Sequence, residues 1–221
     1  MGQKETFLAA EADRFFARNQ GIYDGESGYS KSYSVEPTIL RMGIEPTSVL
    51  EIGCSNGWRL ASLRERFPNA RFAGIEPSAK AVEEGRERWG LDLRVGTADD
   101  LPFADGEFDL VIFGGCLYLC DRSDLFRIAW QADRVLADRG FLCLWDYAAR
   151  VPYANDYRHT DGIRSYKMDY PSMFLWNPDY WMVALDPAGG MKEDPDDRMV
   201  VALMRKQRDS AWPPNPWSRA G

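Results

Sequence analysis

The chain has 221 residues, 34 acidic against 27 basic side chains, a net charge of −7 and a single histidine. That length suits one domain with an elaboration, large enough to bury a full core without disulfide or metal staples. No apolar run of about 18 residues is present, so no membrane-spanning helix is expected. The acidic balance argues against a nucleic-acid-binding face, which needs cationic side chains against phosphate.

The N-terminal twenty residues contain acids and no apolar h-region, so they do not read as a signal peptide. Cys54, Cys116, Cys120 and Cys143 lie in apolar stretches, with no CxxC spacing and no histidine at ligand distance. They read as buried thiols, with no metal site expected, and a cytoplasmic setting follows from that usage.

In chain order, residues 4–18 carry Phe7, Leu8, Ala12 and Phe15 at helical spacing. Residues 19–34 are rich in Gly, Ser and Tyr and read as a loop. A short helix is expected from Val35 to Met42, ended by Gly43. An alternation follows. SVLEIG (48–53), RFAGIE (71–76), LDLRV (91–95), FDLVIFG (108–114) and FLCLWDY (141–147) are predicted strands. Helices are predicted around Leu60–Phe67, after the Ser78 cap up to Gly90, and over Leu125–Leu136. The core thus reads as βαβαβ–loop–βαβ, an α/β doubly wound, mostly parallel sheet with helices on both faces. Residues 148–181 show little periodicity and many aromatic side chains, from Tyr153 to Trp181. WMVALD (181–186) and MVVALM (199–204) are predicted to close the far edge as a hairpin, and the Pro-rich tail to be irregular. Asn177-Pro178-Asp179-Tyr180 is similar to a known "NPPY" motif, but it follows strand five instead of strand four, has Asp in place of Pro, and reads as a turn.

The first predicted strand runs into Glu51-Ile52-Gly53-Cys54-Ser55-Asn56-Gly57, and a helix follows. Small residues at 53, 55 and 57 let the backbone turn sharply and let a ligand approach its N–H groups. The spacing does not fit the GxGxxG dinucleotide fingerprint. The second strand ends in Glu76, 19 residues after Gly57. In a doubly wound sheet an acid there points into the crevice beside the turn and can accept both hydroxyls of a ribose.

These residues resemble the class I S-adenosylmethionine-dependent methyltransferases. Glu51-x-Gly53-x-Ser55-x-Gly57 is similar to their first motif, with Ser for the middle Gly, and Glu76 to their ribose acid. Gly96-Thr97-Ala98-Asp99-Asp100-Leu101-Pro102-Phe103, followed by Phe108-Asp109-Leu110-Val111, resembles their "GDA…LPF…FDxV" stretch. Arg134-Val135-Leu136 and Gly140-Phe141-Leu142 resemble "RVLKPGG". The resemblance covers about residues 45–147. It implies a seven-stranded sheet of order 3-2-1-4-5-7-6 with an antiparallel last strand, N-terminal helices and an aromatic-rich insertion after strand five. Within a single domain, residues 1–44 would be a helical lid, 45–147 the cofactor-binding core, 148–207 the acceptor region with the C-terminal strands, and 208–221 a tail.

It also implies S-adenosyl-L-methionine as cofactor. Gly53, Ser55 and Gly57 would pass its methionine and ribose, Glu51 would help hold the amino end, and Glu76 would take the ribose. Thr97, Ala98 and Asp99 would flank adenine, Gly114 and Gly115 would line the methionine tail, and Tyr33 joins the cofactor set. A cationic sulfonium suits an acidic chain.

For the acceptor, His159 is a candidate general base, with a surface histidine as the alternative reading. Tyr118 and Asp121, after strand four, are candidate acceptor contacts, although Asp121 also reads as the start of the next helix. The aromatic segments read either as walls of an acceptor pocket or as core. The expected partner is a small-molecule acceptor carrying a hydroxyl or amine, such as a sugar, a nucleoside or a secondary metabolite. No nucleic acid or membrane partner is expected, and a homodimer is allowed for. The competing readings are a nucleotide-dependent oxidoreductase and a non-catalytic cofactor-binding subunit that activates a partner.

Overall fold

The structure, a computed structural model, describes residues 2–23, 35–188 and 199–208. Tyr29 and Tyr33 lie outside the described residues. The N-terminal helix runs in three segments, α1 (Gln3–Thr6), a π-helical stretch (Phe7–Glu11) and α2 (Ala12–Tyr23), extending five residues further than its apolar pattern predicts. After α3 (Glu36–Arg41) come β1 (Ser48–Ile52), α4 (Trp58–Arg66), β2 (Arg71–Glu76), α5 (Ala79–Trp89), β3 (Asp92–Val95), β4 (Phe108–Gly114) and α6 (Leu125–Val135). The C-terminal part is β5 (Leu136–Asp156), β6 (Arg164–Asp169), α7 (Ser172–Leu175), β7 (Tyr180–Ala188) and β8 (Met199–Lys206).

Where local signals are strong, the elements start and stop where the sequence says. The Ser78 side chain accepts from the Ala81 N–H at 3.1 Å, and Gly90 adopts φ 62°, so α5 is capped at both ends. The Asn177 segment is a turn, with the Tyr180 N–H on the Asn177 carbonyl at 3.0 Å.

The strands join in the order β3-β2-β1-β4-β5-β8-β7. β1 to β5 pair in parallel, and β8 runs antiparallel to both β5 and β7. This is the expected order, with β7 and β8 as the sixth and seventh strands. Two things differ. β5 is 21 residues long, and an eighth strand, β6, pairs antiparallel with its outer half. Residues 148–169 are therefore largely a hairpin, not an irregular insertion. Their burial follows no period of two, with three exposed residues in a row at 150–152 and buried Ala149, Ile163 and Lys167 among half-buried neighbours, so only cross-strand pairing identifies them as strands.

The parallel strands bury both faces, which is why they read as continuous apolar runs. Leu50, Ile52, Val111 and Phe113 pack with Ile128, Ala132 and Val135 of α6 on one face. Val49, Leu110 and Ile112 pack with Leu60 and Leu63 of α4 and Val82 of α5 on the other. The aromatic excess divides. Tyr170, Phe174 and Tyr180 are core residues, whereas Trp176 is 72% exposed.

Candidate functional site

Strands β1, β2 and β4 end at one edge of the sheet, and a cavity of about 390 Å³ opens there. Parallel strands leave such a crevice at their carboxyl ends, where the connections diverge to opposite faces. Gly53, Ser55 and Gly57 all have positive φ, at 76°, 51° and 76°. This left-handed backbone turns the chain from β1 into α4, and only a residue without Cβ enters it freely. Ser55 occupies it with a side chain.

Glu76 closes the turn from the neighbouring strand. Its carboxylate accepts the Ser55 N–H and the Ser78 N–H, each at 3.0 Å. Burial pushes the carboxyl up to about 7, against these two N–H donors, and the nearby charges of Glu51 and Asp13 push the same way. Gly53, Ser55, Glu76, Thr97, Ala98, Asp99, Gly114 and Gly115 all line the cavity. Gly57 lies just behind it: a Cβ there would stand 2.9 Å from Leu91.

Glu51 is 1% exposed and pairs with Arg59, which is 3% exposed and lines the cavity. Burial drives the Glu51 carboxyl up to about 7 even though the guanidinium opposes it. The pair packs directly on the backbone of Gly114, where no side chain fits: a Cβ there would lie 2.5 Å from the Gly53 carbonyl and 2.6 Å from Glu51 Oε1. A Cβ at Gly115 would lie 2.7 Å from the Trp145 ring.

The N-terminal helix forms the opposite wall through Phe7, Phe15 and Phe16. Its first amides, on Gln3 and Lys4, donate to the Asp121 carboxylate at 3.1 and 3.0 Å. Lys4 Nζ donates to Asp99 at 2.7 Å. Burial raises the Asp99 carboxyl, but the Lys4 and Thr97 hydrogen bonds outweigh it and leave it below its ordinary value. Further along, Ser78 donates to Asp13 at 2.7 Å. Glu11 accepts from Arg18, and from Thr160 at 2.6 Å. Asp121 thus holds a helix terminus as well as facing the cavity, and one oxygen of Asp99 is already engaged.

The acceptor candidates separate. Tyr118 and Asp121 line the main cavity. His159 does not. It is exposed at the end of the β5–β6 hairpin, its ring 5.3 Å from Tyr157, and it lines a second cavity of about 540 Å³. Tyr118 and Tyr147 line both cavities, with ring centroids 5.6 Å apart. Lys167 is 8% exposed, lines the second cavity and stands over the Tyr147 ring at 4.7 Å.

Sequence reasoning passed over Arg59, Trp145, Lys4 and Lys167. Arg59 left a signal, since it shares the buried face of α4 with Leu60 and Leu63, where a charge is costly. Lys4 left none, because its partner is 95 residues away.

Residues 49–140 match the methyltransferase domain family. The chain is 31% identical over 136 residues to a fatty-acid O-methyltransferase of Mycolicibacterium smegmatis, covering 59% of this chain and 49% of that protein. It is 28% identical over 131 residues to a malonyl-[acyl-carrier protein] O-methyltransferase of Geobacter sulfurreducens, covering 57% and 48%. The chain therefore spans about half the length of these curated relatives. Its fold is similar to that of Burkholderia thailandensis 1,6-didemethyltoxoflavin-N1-methyltransferase, solved with 1,6-didemethyltoxoflavin and S-adenosylhomocysteine. The TM-score is 0.69 at 14% identity, covering 92% of this chain and 90% of that one.

Proposed function

From the match of residues 49–140 to the methyltransferase domain family, we propose that this chain transfers a methyl group from S-adenosylmethionine to a small-molecule acceptor. The observation that carries this reading is the junction of Glu76 with the Ser55 amide at the cavity wall. It brings the ribose acid and the left-handed turn together, as the sequence resemblance requires. The donor set fits the group. Glu51, Glu76 and Asp99 suit a cationic ligand, Glu51 Oε2 is buried without a partner, and apolar side chains from the N-terminal helix suit a base ring. No comparable support exists for the oxidoreductase reading.

Bound there, S-adenosylmethionine supplies an electrophilic sulfonium methyl group. The protein's work is then positioning and exclusion of water. The Ser55–Glu76 contact fixes the ribose end. Phe7, Phe15 and Phe16 cover the base, and residues 2–23 act as the lid. Tyr118 and Tyr147 stand between the two cavities, so the acceptor enters from the second and presents its nucleophile past these rings. The named activities of the curated relatives favour an oxygen acceptor. His159 at the second cavity is the candidate base for a hydroxyl.

Calorimetry with S-adenosylhomocysteine tests the cofactor site. Glu76→Ala removes a charged acceptor and should weaken binding by about 1–3 kcal/mol. Unchanged affinity would remove Glu76 from the site. A methyl-transfer screen over hydroxyl, carboxyl and amine acceptors then identifies the substrate class.

A further inference from the structure

The two cavities differ in the sign of their walls. Among the described residues, the main cavity is lined by Glu76, Asp99, Asp121 and Asp124 against Lys4 and Arg59. The second is lined by Arg158 and Lys167 against Asp156, and Arg164 lies 3.7 Å from that carboxylate. A chain with a net charge of −7 therefore holds a cationic cavity beside an acidic one. The acidic walls suit a sulfonium, and the cationic walls suit an anion.

The hairpin sets where that cation stands. Lys167 of β6 pairs with Tyr153 of β5, and Ser165 pairs with Asn155. Opposed residues share one face of a sheet, as do residues two apart on a strand, so all four lie on one face. Asn155, Ser165 and Lys167 line the second cavity. Its other charged lining residues are exposed, whereas Lys167 is buried. The ammonium lies 4.7 Å from the Tyr147 ring centroid and 5.4 Å from that of Tyr153. These rings hold the charge where Tyr147 divides the two cavities. Away from bulk water, such a charge attracts an anion more strongly than a solvated one does.

We propose that Lys167 binds a carboxylate of the acceptor, so that the second cavity selects small acids over neutral molecules of the same shape. This rests on the reading of that cavity as the acceptor's entrance. One compact ammonium matches a singly charged group, and the Asn155 amide and Ser165 hydroxyl on the same face offer further donors. An acid anchored there lies against Tyr147, and the rest of the molecule extends past Tyr118 toward the main cavity. The competing explanation is structural, with the lysine stem only packing on the tyrosine rings.

The test titrates matched acids and amides, benzoate with benzamide and octanoate with octanamide, into the protein with and without S-adenosylhomocysteine, followed by NMR. At least one acid should bind at least about tenfold more tightly than its amide. Lys167→Met should bring that ratio within about twofold, while Lys167→Arg keeps the acid preferred and Arg158→Gln changes the ratio less than about threefold. A purely structural lysine would shift both members of a pair alike. Amides that match their acids, a preference that survives Lys167→Met, or a panel in which no acid binds overturns the proposal. Phenyl phosphate binding more tightly than benzoate overturns it too, in favour of a phosphoryl site. Should Lys167→Met fail to fold, wild-type protein with 15N-labelled lysine decides: the bound acid should shift the Lys167 ammonium signal and its amide should not. Equal shifts overturn the proposal. If S-adenosylhomocysteine does not bind but the acid preference holds, the methyl-transfer reading fails and the anion site stands. If S-adenosylhomocysteine binds and no acid is preferred, only this inference fails.

Discussion

Single residues carry two kinds of commitment here, backbone strain and chemistry. Arg139 has φ 64° at the turn that leads into the paired part of β5, at the place of the first Gly in the "RVLKPGG" pattern that this segment resembles. It is exposed, and no Cβ is wanted in that conformation. Arg139→Gly should therefore raise stability by about 0.5–1 kcal/mol, the left-handed penalty less the extra entropy of an unfolded glycine. Denaturant unfolding measures this, and a loss would mean that the arginine's own contacts outweigh the strain. His159 is a chemical commitment. If it is the base, His159→Ala should lower turnover of a hydroxyl acceptor by about 10²–10⁴-fold with S-adenosylhomocysteine affinity intact. Its exposure supplies the contrary outcome, wild-type turnover, which would leave a surface residue.

At the scale of elements, the far edge of the sheet depends on a buried lysine. Lys206 on β8 is 1% exposed. Its ammonium donates to the Asp133 carbonyl at 2.6 Å and the Leu136 carbonyl at 3.0 Å, and lies 2.9 Å from the Asp133 carboxylate. Tyr180 on β7 donates to the same carboxylate at 2.8 Å. One cation thus satisfies the carboxyl end of α6 and fastens two C-terminal strands to it. Lys206→Met should keep the packing and leave Tyr180 on the Asp133 carboxylate, but take this donor from the Asp133 and Leu136 carbonyls. The expected loss is about 2–4 kcal/mol in equilibrium unfolding. A neutral result would show that water reaches them. The sequence shows only a lysine at the end of an apolar strand.

Across the whole molecule, three carboxyls are raised together: Glu51 and Asp146 are buried, and Glu76 is half-buried at the cavity wall. Burial drives Glu51, Glu76 and Asp146 up to about 7. The folded protein holds these protons where the unfolded chain has released them. The stability they contribute is complete below the ordinary carboxylate range and is lost as pH rises through about 7. The melting temperature of the ligand-free protein should therefore fall between pH 5 and pH 8. S-adenosylhomocysteine should restore more of it at pH 8, where Glu76 at the cavity wall is ionised. A flat profile would show that solvent reaches all three carboxyls.

The sequence by itself determined the doubly wound parallel core and the turn and acid that meet at the crevice, while the full strand order came only with the family resemblance. Those features depend on local signals: apolar runs, the Ser78 and Gly90 caps, and small residues at 53, 55 and 57, each acting within a few positions of itself. Glu76 could be placed because the right-handed crossover leaves one position for the end of β2. The tertiary structure alone decided the rest. The second half of β5 is a strand because β6 pairs with it. Some aromatics are core because α6 and β7 cover them, and Asp121 is tied to the N-terminal helix from 118 residues away. Arg59 became meaningful only when Trp145, Glu51 and Gly114 closed around it. Such contacts join residues whose separation along the chain leaves no periodic trace, so their energies enter only when the chain is folded.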